Sequence, residues 1–400
     1  MSRQPLAHRS GAPLSLLLLG AAVLVVALVA GRTGGSPRTE RESTATTAGG
    51  AAAASDASGG GSQRTAAAAA GSSAAGGRAL PADLEDRGWI AEVAVQRWLA
   101  GTLSGRLLVL PADEIGLTAT ASTVVSVRYG ANGRTSTVRV RDMAGGRLRA
   151  SVDRPGTVSS AVVAGTVVYV TGDAGTGGGA DAGVQAISLA DGSVRDIIPP
   201  GPAPADAAGP VTRTQLRLDP SGTILGSPLC SGDQCTVDLV DLASGARTTP
   251  VRNVHGFLVA LTSHVLYLVD DTSTALQAVD AATGVERWRV DGVQLGGVLP
   301  ATDGSSAVVS YLPATRSGPL TFTLASIDAV TGERHVLLER PADNDVPTFY
   351  PNLSGDRVAV LGTGGTLGEM LGGAARRAIL TLVDARSGAT RAGGLTLTTP

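Results

Sequence analysis

Two cysteines are the first residues in this 400-residue chain whose type and spacing point to a specific chemistry. Cys230 and Cys235 flank Ser-Gly-Asp-Gln, and the residues around them predict a hairpin. Cysteines that face each other across a hairpin can meet disulfide geometry, whereas this spacing differs from the redox C-x-x-C pair and no second ligand pair exists for zinc. We therefore predict a structural disulfide, with free thiols and a metal site as the alternatives. A disulfide implies an oxidising compartment.

The histidines form no recognisable catalytic pattern. His255 and His264 lie nine residues apart on one predicted hairpin, so a two-histidine site is an alternative to packed or surface histidines, and His335 stands apart. The chain contains no G-x-S-x-G motif and no carboxylate pair that stands out for glycoside hydrolysis. All of its basic residues are arginine, which excludes lysine Schiff-base chemistry and a P-loop lysine. These features favour a chain without an active site.

Two acid-containing segments offer oxygen ligands but no calcium motif. Asp173 and Asp181 lie in a glycine-rich insertion that lacks the spacing of an EF-hand loop, which favours a flexible loop. Asp343, Asn344 and Asp345 form a run whose side chains could contact Ca²⁺, with a solvated turn as the other interpretation. No catalytic, cofactor or metal residue is predicted in either segment.

The N-terminal segment determines where these residues would work. Residues 14–30 are apolar and uncharged, a run just long enough for a membrane-spanning helix and longer than an ordinary signal-peptide core. We predict a cytoplasmic tail at 1–12 and an uncleaved transmembrane anchor at 13–31, with a cleaved signal peptide as the alternative. Long C-terminal domains translocate largely regardless of charge. The expected location is therefore the cell membrane, single-pass, with the C-terminal domain extracytoplasmic.

A low-complexity linker follows the anchor. Residues 43–77 are almost entirely Ala, Gly, Ser and Thr. Such a segment has little to bury and cannot offset the entropy of ordering, so we predict a disordered linker at 32–78. The flexible-chain rule gives residues 43–77 a span of roughly 30–35 Å. The folded part is predicted at 79–400, where 80–100 could form either a short amphipathic helix or a first strand.

A repeated phrase dominates the folded part. Each copy consists of an alternating strand, a tight turn that ends on glycine, and a second strand. The copies lie at 138–147, 185–193, 238–247, 277–288, 325–335 and 381–391. An Asp or Ser at the start of the turn can accept a hydrogen bond from the backbone two residues later, and the closing glycine can adopt the left-handed conformation. The closing glycines are Gly146, Gly192, Gly245, Gly284, Gly332 and Gly388.

This period predicts the architecture. A repeat of about 40–50 residues with four strands is typical of a β-propeller. We predict an all-β fold, a propeller of six to seven four-stranded blades preceded by one transmembrane helix and a disordered linker. A seventh blade requires residues 85–98 or the C-terminal GGLTLTTP to complete it. An array of β-sandwiches, with longer crossovers between independent cores, is the competing fold.

One copy resembles a known repeat family. QAVDAATGVERWRVDG at 277–292 is similar to the quinoprotein-type, PQQ-like repeat, in which a strand runs through Asp-Ala and Thr-Gly to a tryptophan. The matching positions are Ala278, Val279, Asp280, Ala281, Thr283, Gly284 and Trp288. The other copies match in part and lack the tryptophan. Quinoprotein dehydrogenases also carry a vicinal disulfide, and this chain has no adjacent cysteines, so the resemblance implies a membrane-anchored, non-catalytic relative without the quinone cofactor.

Together these features predict a function. The expected activity is that of a non-catalytic binding or scaffold module for envelope proteins or ligands; the alternative is a propeller enzyme or ligand sensor with its site at the central funnel. The expected partners are an envelope protein and, through the N-terminal helix, the membrane. The net charge of −2 argues against nucleic acid. A funnel lined by Asp, His or Arg would favour the enzyme or sensor, and an apolar plugged channel the scaffold.

Overall fold

A computed structural model describes most of the C-terminal part of the chain. The described residues are 88–94, 97–102, 106–131, 133–174, 180–205, 207, 209–232, 234–270, 272, 274–301, 303–313, 321–341, 348–351, 357–364, 377–384, 390–391 and 396–398. All of them lie in the compact unit Gly77–Pro400. None of them belongs to a helix long and apolar enough to cross a membrane. The predicted tail, anchor and linker lie outside these residues.

The described part is all-β, as predicted, and its first strands form three antiparallel sheets. Sheet 1 contains β1 (Gly88–Ala94), β2 (Arg97–Thr102) and β3 (Leu107–Val109). Sheet 2 contains β4 (Ile115–Ala119), β5 (Thr123–Tyr129), β6 (Thr135–Asp142) and β7 (Leu148–Pro155). The next strands are β8 (Val158–Ala164), β9 (Val167–Gly172), β10 (Ala180–Asp181), β11 (Val184–Ser188), β12 (Val194–Ile198) and β13 (Gly201–Pro202). Sheet 3 joins β8, β9, β11 and β12, while β10 pairs with β13.

The remaining strands form four more sheets. Sheet 4 contains β14 (Val211–Arg213), β15 (Arg217–Leu218), β16 (Ile224–Ser231), β17 (Gln234–Asp241) and β18 (Arg247–His255), and both short strands pair with β16. Sheet 5 contains β19 (Phe257–Leu261), β20 (Val265–Val269), β21 (Ala275–Asp280) and β22 (Glu286–Asp291). Sheet 6 contains β23 (Val293–Pro300), β24 (Ser306–Pro313), β25 (Thr321–Asp328) and β26 (Arg334–Pro341). Sheet 7 contains β27 (Thr348–Pro351), β28 (Arg357–Gly364), β29 (Arg377–Asp384), β30 (Thr390–Arg391) and β31 (Thr396–Thr398).

The repeated phrase forms the outer hairpin of sheets 2 to 7, and the strands upstream of it form the inner strands. In sheet 5, β21 and β22 pair so that Ala278 lies opposite Trp288. Within the segment 80–100, for which helix and strand were both open, the described residues lie in the antiparallel strands β1 (Gly88–Ala94) and β2 (Arg97–Thr102). The C-terminal β31 pairs with β29 inside sheet 7.

In the five copies whose turns are described, the closing glycine adopts the predicted left-handed conformation, and in four of them the side chain that starts the turn accepts the predicted backbone hydrogen bond. The closing glycines of these copies have φ between 65° and 74°, and in sheet 5 the N–H of Gly284 donates to the carbonyl oxygen of Asp280 at 2.9 Å. The Asp280 carboxylate accepts hydrogen bonds from the N–H groups of Ala282 and Thr283. The hydrogen bond from Arg287, followed by those from Thr283, lowers the pKa of Asp280. The sixth closing glycine, Gly388, lies outside the described residues.

Neighbouring sheets pack through apolar faces. Because successive side chains of a strand point to opposite faces of its sheet, apolar residues can lie on one face and polar residues on the other. On β6, Val138 and Val140 are buried against sheet 3, whereas the alternate residues Arg139 and Arg141 lie on the opposite face. Comparable apolar clusters join sheets 3 and 4, 4 and 5, and 5 and 6. The first strands of sheets 2 to 7 lie against one another in succession, which brings β4, β8, β15, β19, β23 and β27 to one side of the stack.

The turn glycines also dock the sheets to each other. The indole of Trp288 in sheet 5 lies over Gly332 in sheet 6, where a Cβ would come within 2.8 Å of the ring. Its Nε1 donates to the carbonyl oxygen of Ala329 at 3.2 Å. Gly284 accommodates the carbonyl of Pro250 from sheet 4 in the same way. At Gly284 and Gly332, glycine is therefore required for two reasons: the backbone has positive φ, and the preceding sheet approaches too closely to leave room for a side chain.

Candidate functional site

The structure keeps the predicted histidines apart. His255 ends β18, whereas His264 lies in the turn after β19. The five residues of β19 separate the two positions by about 17 Å at the usual rise of a strand. The two-histidine alternative is therefore not formed. Within the described ranges, no group of three or more His, Cys, Asp or Glu side chains is arranged to hold a metal ion, and the run Asp343, Asn344 and Asp345 lies outside those ranges.

Cys230 and Cys235 lie directly opposite each other on β16 and β17, next to the hairpin turn. Their Cα atoms are 4.1 Å apart, and the structure contains a disulfide between them. The hydroxyl of Thr214, on the first strand of sheet 4, lies 3.6 Å from the sulfur of Cys230. The bond therefore closes the end of a hairpin that supports this first strand.

We expect removal of the disulfide to weaken the fold moderately. A bond that closes so short a loop restricts the unfolded chain by about 2 kcal/mol. The double variant Cys230→Ala/Cys235→Ala should lose about that much free energy of unfolding, measured by urea denaturation without reductant. Adding reductant to the unmutated chain should reproduce the loss and leave the double variant unchanged. Equal stability of the two chains without reductant would contradict the prediction.

A buried ion cluster holds β14, the first strand of sheet 4, against β10. Arg213 is fully buried, and its Nε and Nη2 donate to the two carboxylate oxygens of Asp181 at 2.7 and 2.6 Å. Its Nη1 donates to Asp238 and to the hydroxyl of Ser227, each at 3.0 Å. Asp181 also accepts from the N–H of Gly183 at 2.8 Å. The second aspartate of the glycine-rich insertion is thus an ion-pair partner of Arg213.

The cluster is balanced in charge and has no spare capacity for a ligand. Asp238 also accepts from Arg247 at 2.7 Å and from the hydroxyl of Thr249 at 2.8 Å. Two arginines and two aspartates therefore neutralise each other. A buried pair of this kind positions the backbone but does not recognise a substrate.

Four residues further along the chain, at the start of β15, Arg217 has a different environment. Its Nε donates to the carbonyl oxygen of Val259 on β19 at 2.7 Å, Nη1 to that of Leu216 at 3.3 Å, and Nη2 to Oε1 of Gln215 at 2.6 Å. Every one of these acceptors is neutral, and the described part of the chain provides no carboxylate within ion-pair distance. Burial lowers the pKa of Arg217 to about 10, so the side chain remains charged at neutral pH.

The neighbouring first strand of sheet 3 adds hydroxyl groups. The Oγ of Ser160 accepts from the N–H of Leu216 at 2.9 Å, and Ser159 donates to the carbonyl oxygen of Arg213 at 3.1 Å. Polar bonds therefore connect the first strands of sheets 3, 4 and 5. Ser159 on β8, Gln215 between β14 and β15, and Arg217 on β15 are each partly exposed. We call Ser159, Ser160, Gln215 and Arg217 the inner-strand site.

Sequence reasoning missed this site. The segment TRTQLRL at 212–218 contains two arginines among apolar and small residues of a strand, which was the available signal. Within the described part of the protein, Arg213 has acidic partners and Arg217 does not, because an aspartate distant in the sequence contacts the first guanidinium and not the second. A local sequence pattern does not predict such a contact.

A second buried carboxylate stabilises sheet 2. Glu114 accepts from Arg139 at 2.5 Å, from Arg141 at 2.6 Å and from the hydroxyl of Ser126 at 2.6 Å. Burial alone raises the pKa of Glu114, but the hydrogen bonds from Arg141, Ser126 and Arg139 outweigh it and bring the pKa below its ordinary value.

This shift predicts acid sensitivity. A carboxyl whose pKa is lower in the folded state contributes stability that is complete above its unfolded pKa and is lost as pH falls through the folded pKa. We expect the urea midpoint to fall as the pH decreases below about 4.5. The variant Glu114→Gln should be less stable at neutral pH and show a shallower acid decline. Identical pH profiles for the two chains would contradict the assignment.

Comparisons with known proteins identify the fold. No protein-family model and no curated protein matches the chain. The structure is similar to that of a putative 6-phosphogluconolactonase from Bacteroides uniformis, with 11% identity, a TM-score of 0.50, and coverage of 78% of this chain and 97% of that chain. It is also similar to a structure from a study of two prolyl endopeptidases, with 11% identity and a TM-score of 0.51. That match covers 79% of this chain and 51% of the endopeptidase chain.

These similarities show a fold of the β-propeller type, as predicted. They correct the functional prediction. The expectation of a non-catalytic scaffold without enzymatic activity is contradicted, because both of the solved structures described above, which share this fold, are named as enzymes. The physical reason for the error is that propeller sites are assembled from side chains of separate sheets. Such a site leaves no local motif, and the lack of a motif was the basis of the scaffold prediction.

Proposed function

We propose that this chain is a β-propeller enzyme whose active site contains the inner-strand site. Propellers arrange their sheets around a central channel, and their first strands line it. The observation that supports the proposal is that Ser159 and Arg217 present hydroxyl and guanidinium groups on these strands, and that Gln215, between β14 and β15, presents an amide. An apolar plug would have favoured a scaffold, whereas polar groups on the first strands favour binding of a small polar ligand.

Lactone hydrolysis is the reaction that we propose first. One similar structure is named as a putative lactonase, and the match covers nearly all of that chain. In this reaction water adds to the carbonyl carbon, the ring C–O bond breaks, and a hydroxyl group and a carboxylic acid form, which releases a proton at neutral pH. A fixed guanidinium stabilises negative charge as it develops on the carbonyl oxygen. Arg217 is the described group that could fill this role.

The test follows proton release from glucono-δ-lactone with a pH indicator, relative to spontaneous hydrolysis. We expect the purified full chain to accelerate the reaction. The variant Ser159→Trp, which replaces the hydroxyl of the inner-strand site by a bulky indole, should reduce the rate to the spontaneous level. Ser151→Trp, at an exposed position of β7, is the matched control and should retain the activity. Full activity in Ser159→Trp would place the reaction elsewhere, and no acceleration by the unmutated chain would reject lactone hydrolysis.

We also propose the setting in which this enzyme works. Residues 13–31 anchor the chain in the cell membrane, 32–78 act as a tether, and 79–400 form a seven-bladed propeller on the extracytoplasmic side. The apolar run, the disulfide between Cys230 and Cys235, and the additional strands of sheet 1 support this arrangement. Protease added to intact cells should degrade the propeller, and protection of the propeller would reject the orientation.

A further inference from the structure

Arg217 differs from the other buried arginines of the described residues in the lack of an acidic neighbour. Arg213 pairs with two aspartates, and Arg139 and Arg141 share Glu114. Even Arg154, whose guanidinium makes no direct ion pair, has its charge stabilised by nearby aspartates. For Arg217, burial disfavours the charged form and lowers the pKa, and no described carboxylate offsets this effect. A partly buried cation without a counter-charge is costly, so a negative group supplied from outside the chain would relieve that cost.

The unused donors indicate the shape of that group. A guanidinium has five N–H bonds, and Arg217 uses three of them, one on each nitrogen. Two N–H bonds therefore remain, one on each terminal nitrogen. Two donors on one planar group match the two oxygens of a carboxylate, the pairing for which arginine is best suited.

Gln215 adds a second donor beside the first. Its Oε1 is occupied by Arg217, which orients the amide so that the NH₂ group is the part left to interact with a ligand. The side chain is partly exposed, two residues before Arg217 in the segment that joins β14 to β15. An amide donor next to a guanidinium suits a molecule that carries a hydroxyl or second oxygen close to its carboxylate.

We propose that Arg217 and Gln215 form an oxyanion subsite that binds the carboxylate of a small polyhydroxy acid. This inference rests on the proposed function, because in lactone hydrolysis the carboxylate forms on the carbon that was attacked. A phosphate offers similar oxygens, so the probes must separate the two groups. Gluconate carries the carboxylate alone, glucose 6-phosphate carries the phosphate alone, and glucose carries neither on nearly the same carbon skeleton.

The test is isothermal titration of the full chain with these three compounds. We expect gluconate to bind, glucose not to bind, and glucose 6-phosphate to bind more weakly than gluconate. Loss of a charge-assisted bidentate contact should weaken gluconate binding in Arg217→Gln by about 10- to 100-fold. Arg217→Lys keeps the charge but lacks the planar guanidinium, so its affinity for gluconate should lie between those of the unmutated chain and Arg217→Gln. Arg252→Gln, at an exposed position of β18, is the matched control and should bind normally.

The outcomes separate the subsite from the reaction. Equal gluconate binding by the unmutated chain and Arg217→Gln, or no binding by either, would overturn the subsite. Preference for glucose 6-phosphate would overturn the carboxylate assignment. If Arg217→Gln does not fold, two other measurements test the subsite. Weaker gluconate binding by Arg217→Lys and a steep decrease of gluconate binding with salt would support it, and the absence of both would overturn it. Gluconate binding through Arg217 without lactone turnover would uphold the subsite and reject the lactonase activity. Lactone turnover that is unaffected by Arg217→Gln would uphold the activity and reject a role of the subsite in it.

Discussion

Replacement of Arg213 by methionine is expected to lower the free energy of unfolding by about 3–5 kcal/mol. The change leaves Asp181 and Asp238 buried with one charged partner fewer, while methionine fills much of the volume of the side chain. The uncompensated carboxylates, not the lost packing, account for most of the loss. Urea denaturation of the full chain, followed by tryptophan fluorescence and far-UV circular dichroism, measures the effect.

Arg247→Met is the matched control for this prediction. Arg247 contacts the same carboxylate oxygen of Asp238, but 46% of its side chain is exposed, so its loss should cost about 1 kcal/mol or less. The two variants therefore remove the same charge from the same aspartate at different depths. Similar losses in both would mean that burial does not determine the strength of this cluster.

Replacement of Gly284 by alanine is expected to lower the free energy of unfolding by about 2–5 kcal/mol. The residue has φ +73°, which costs an L-residue about 1–2 kcal/mol. Its new Cβ would also collide with the carbonyl oxygen of Pro250, a backbone atom that cannot rotate away. Sheets 4 and 5 would have to separate locally to admit the methyl group. Urea denaturation again provides the measurement.

A matched variant at Gly245 separates the cost of positive φ from the cost of the collision with the neighbouring sheet. Its φ of +74° is nearly the same, yet a Cβ there would meet nothing within 4 Å. Gly245→Ala should therefore show the backbone cost alone, about 1–2 kcal/mol. The difference between the two variants measures the contact between neighbouring sheets. If both variants lose equal stability, the glycine is needed for its conformation and not for docking.

These two features connect the fold to the proposed site. The Arg213 cluster fixes β14 against β10, and the chain then continues through Gln215 to Arg217 at the start of β15. The glycine contacts set the spacing between successive sheets, and with it the distance between their first strands. A variant that loosens either feature should weaken gluconate binding even though it leaves Arg217 in place.

Much of the fold could be predicted because its determinants are local. The turn from Asp280 to Gly284 depends on one carboxylate that accepts backbone N–H groups and on one residue with positive φ. Both are visible in a short stretch of sequence, and the same stretch recurs through the chain. The alternation of valine and arginine on β6 likewise predicts a strand with one buried face. The segment at 88–102 was ambiguous because its apolar residues fit either period.

By itself, the sequence determined the all-β class, the turns, and the pairing of each repeated phrase into a hairpin, because these depend on residues that are near each other in the chain. The tertiary structure decided what the charged residues do. Asp181 reaches Arg213 across 32 residues, and Val259 reaches Arg217 across 42. The strand pattern treats the two arginines alike. One is neutralised and the other keeps a free charge because the folded chain brings carboxylates to one guanidinium and carbonyl oxygens to the other.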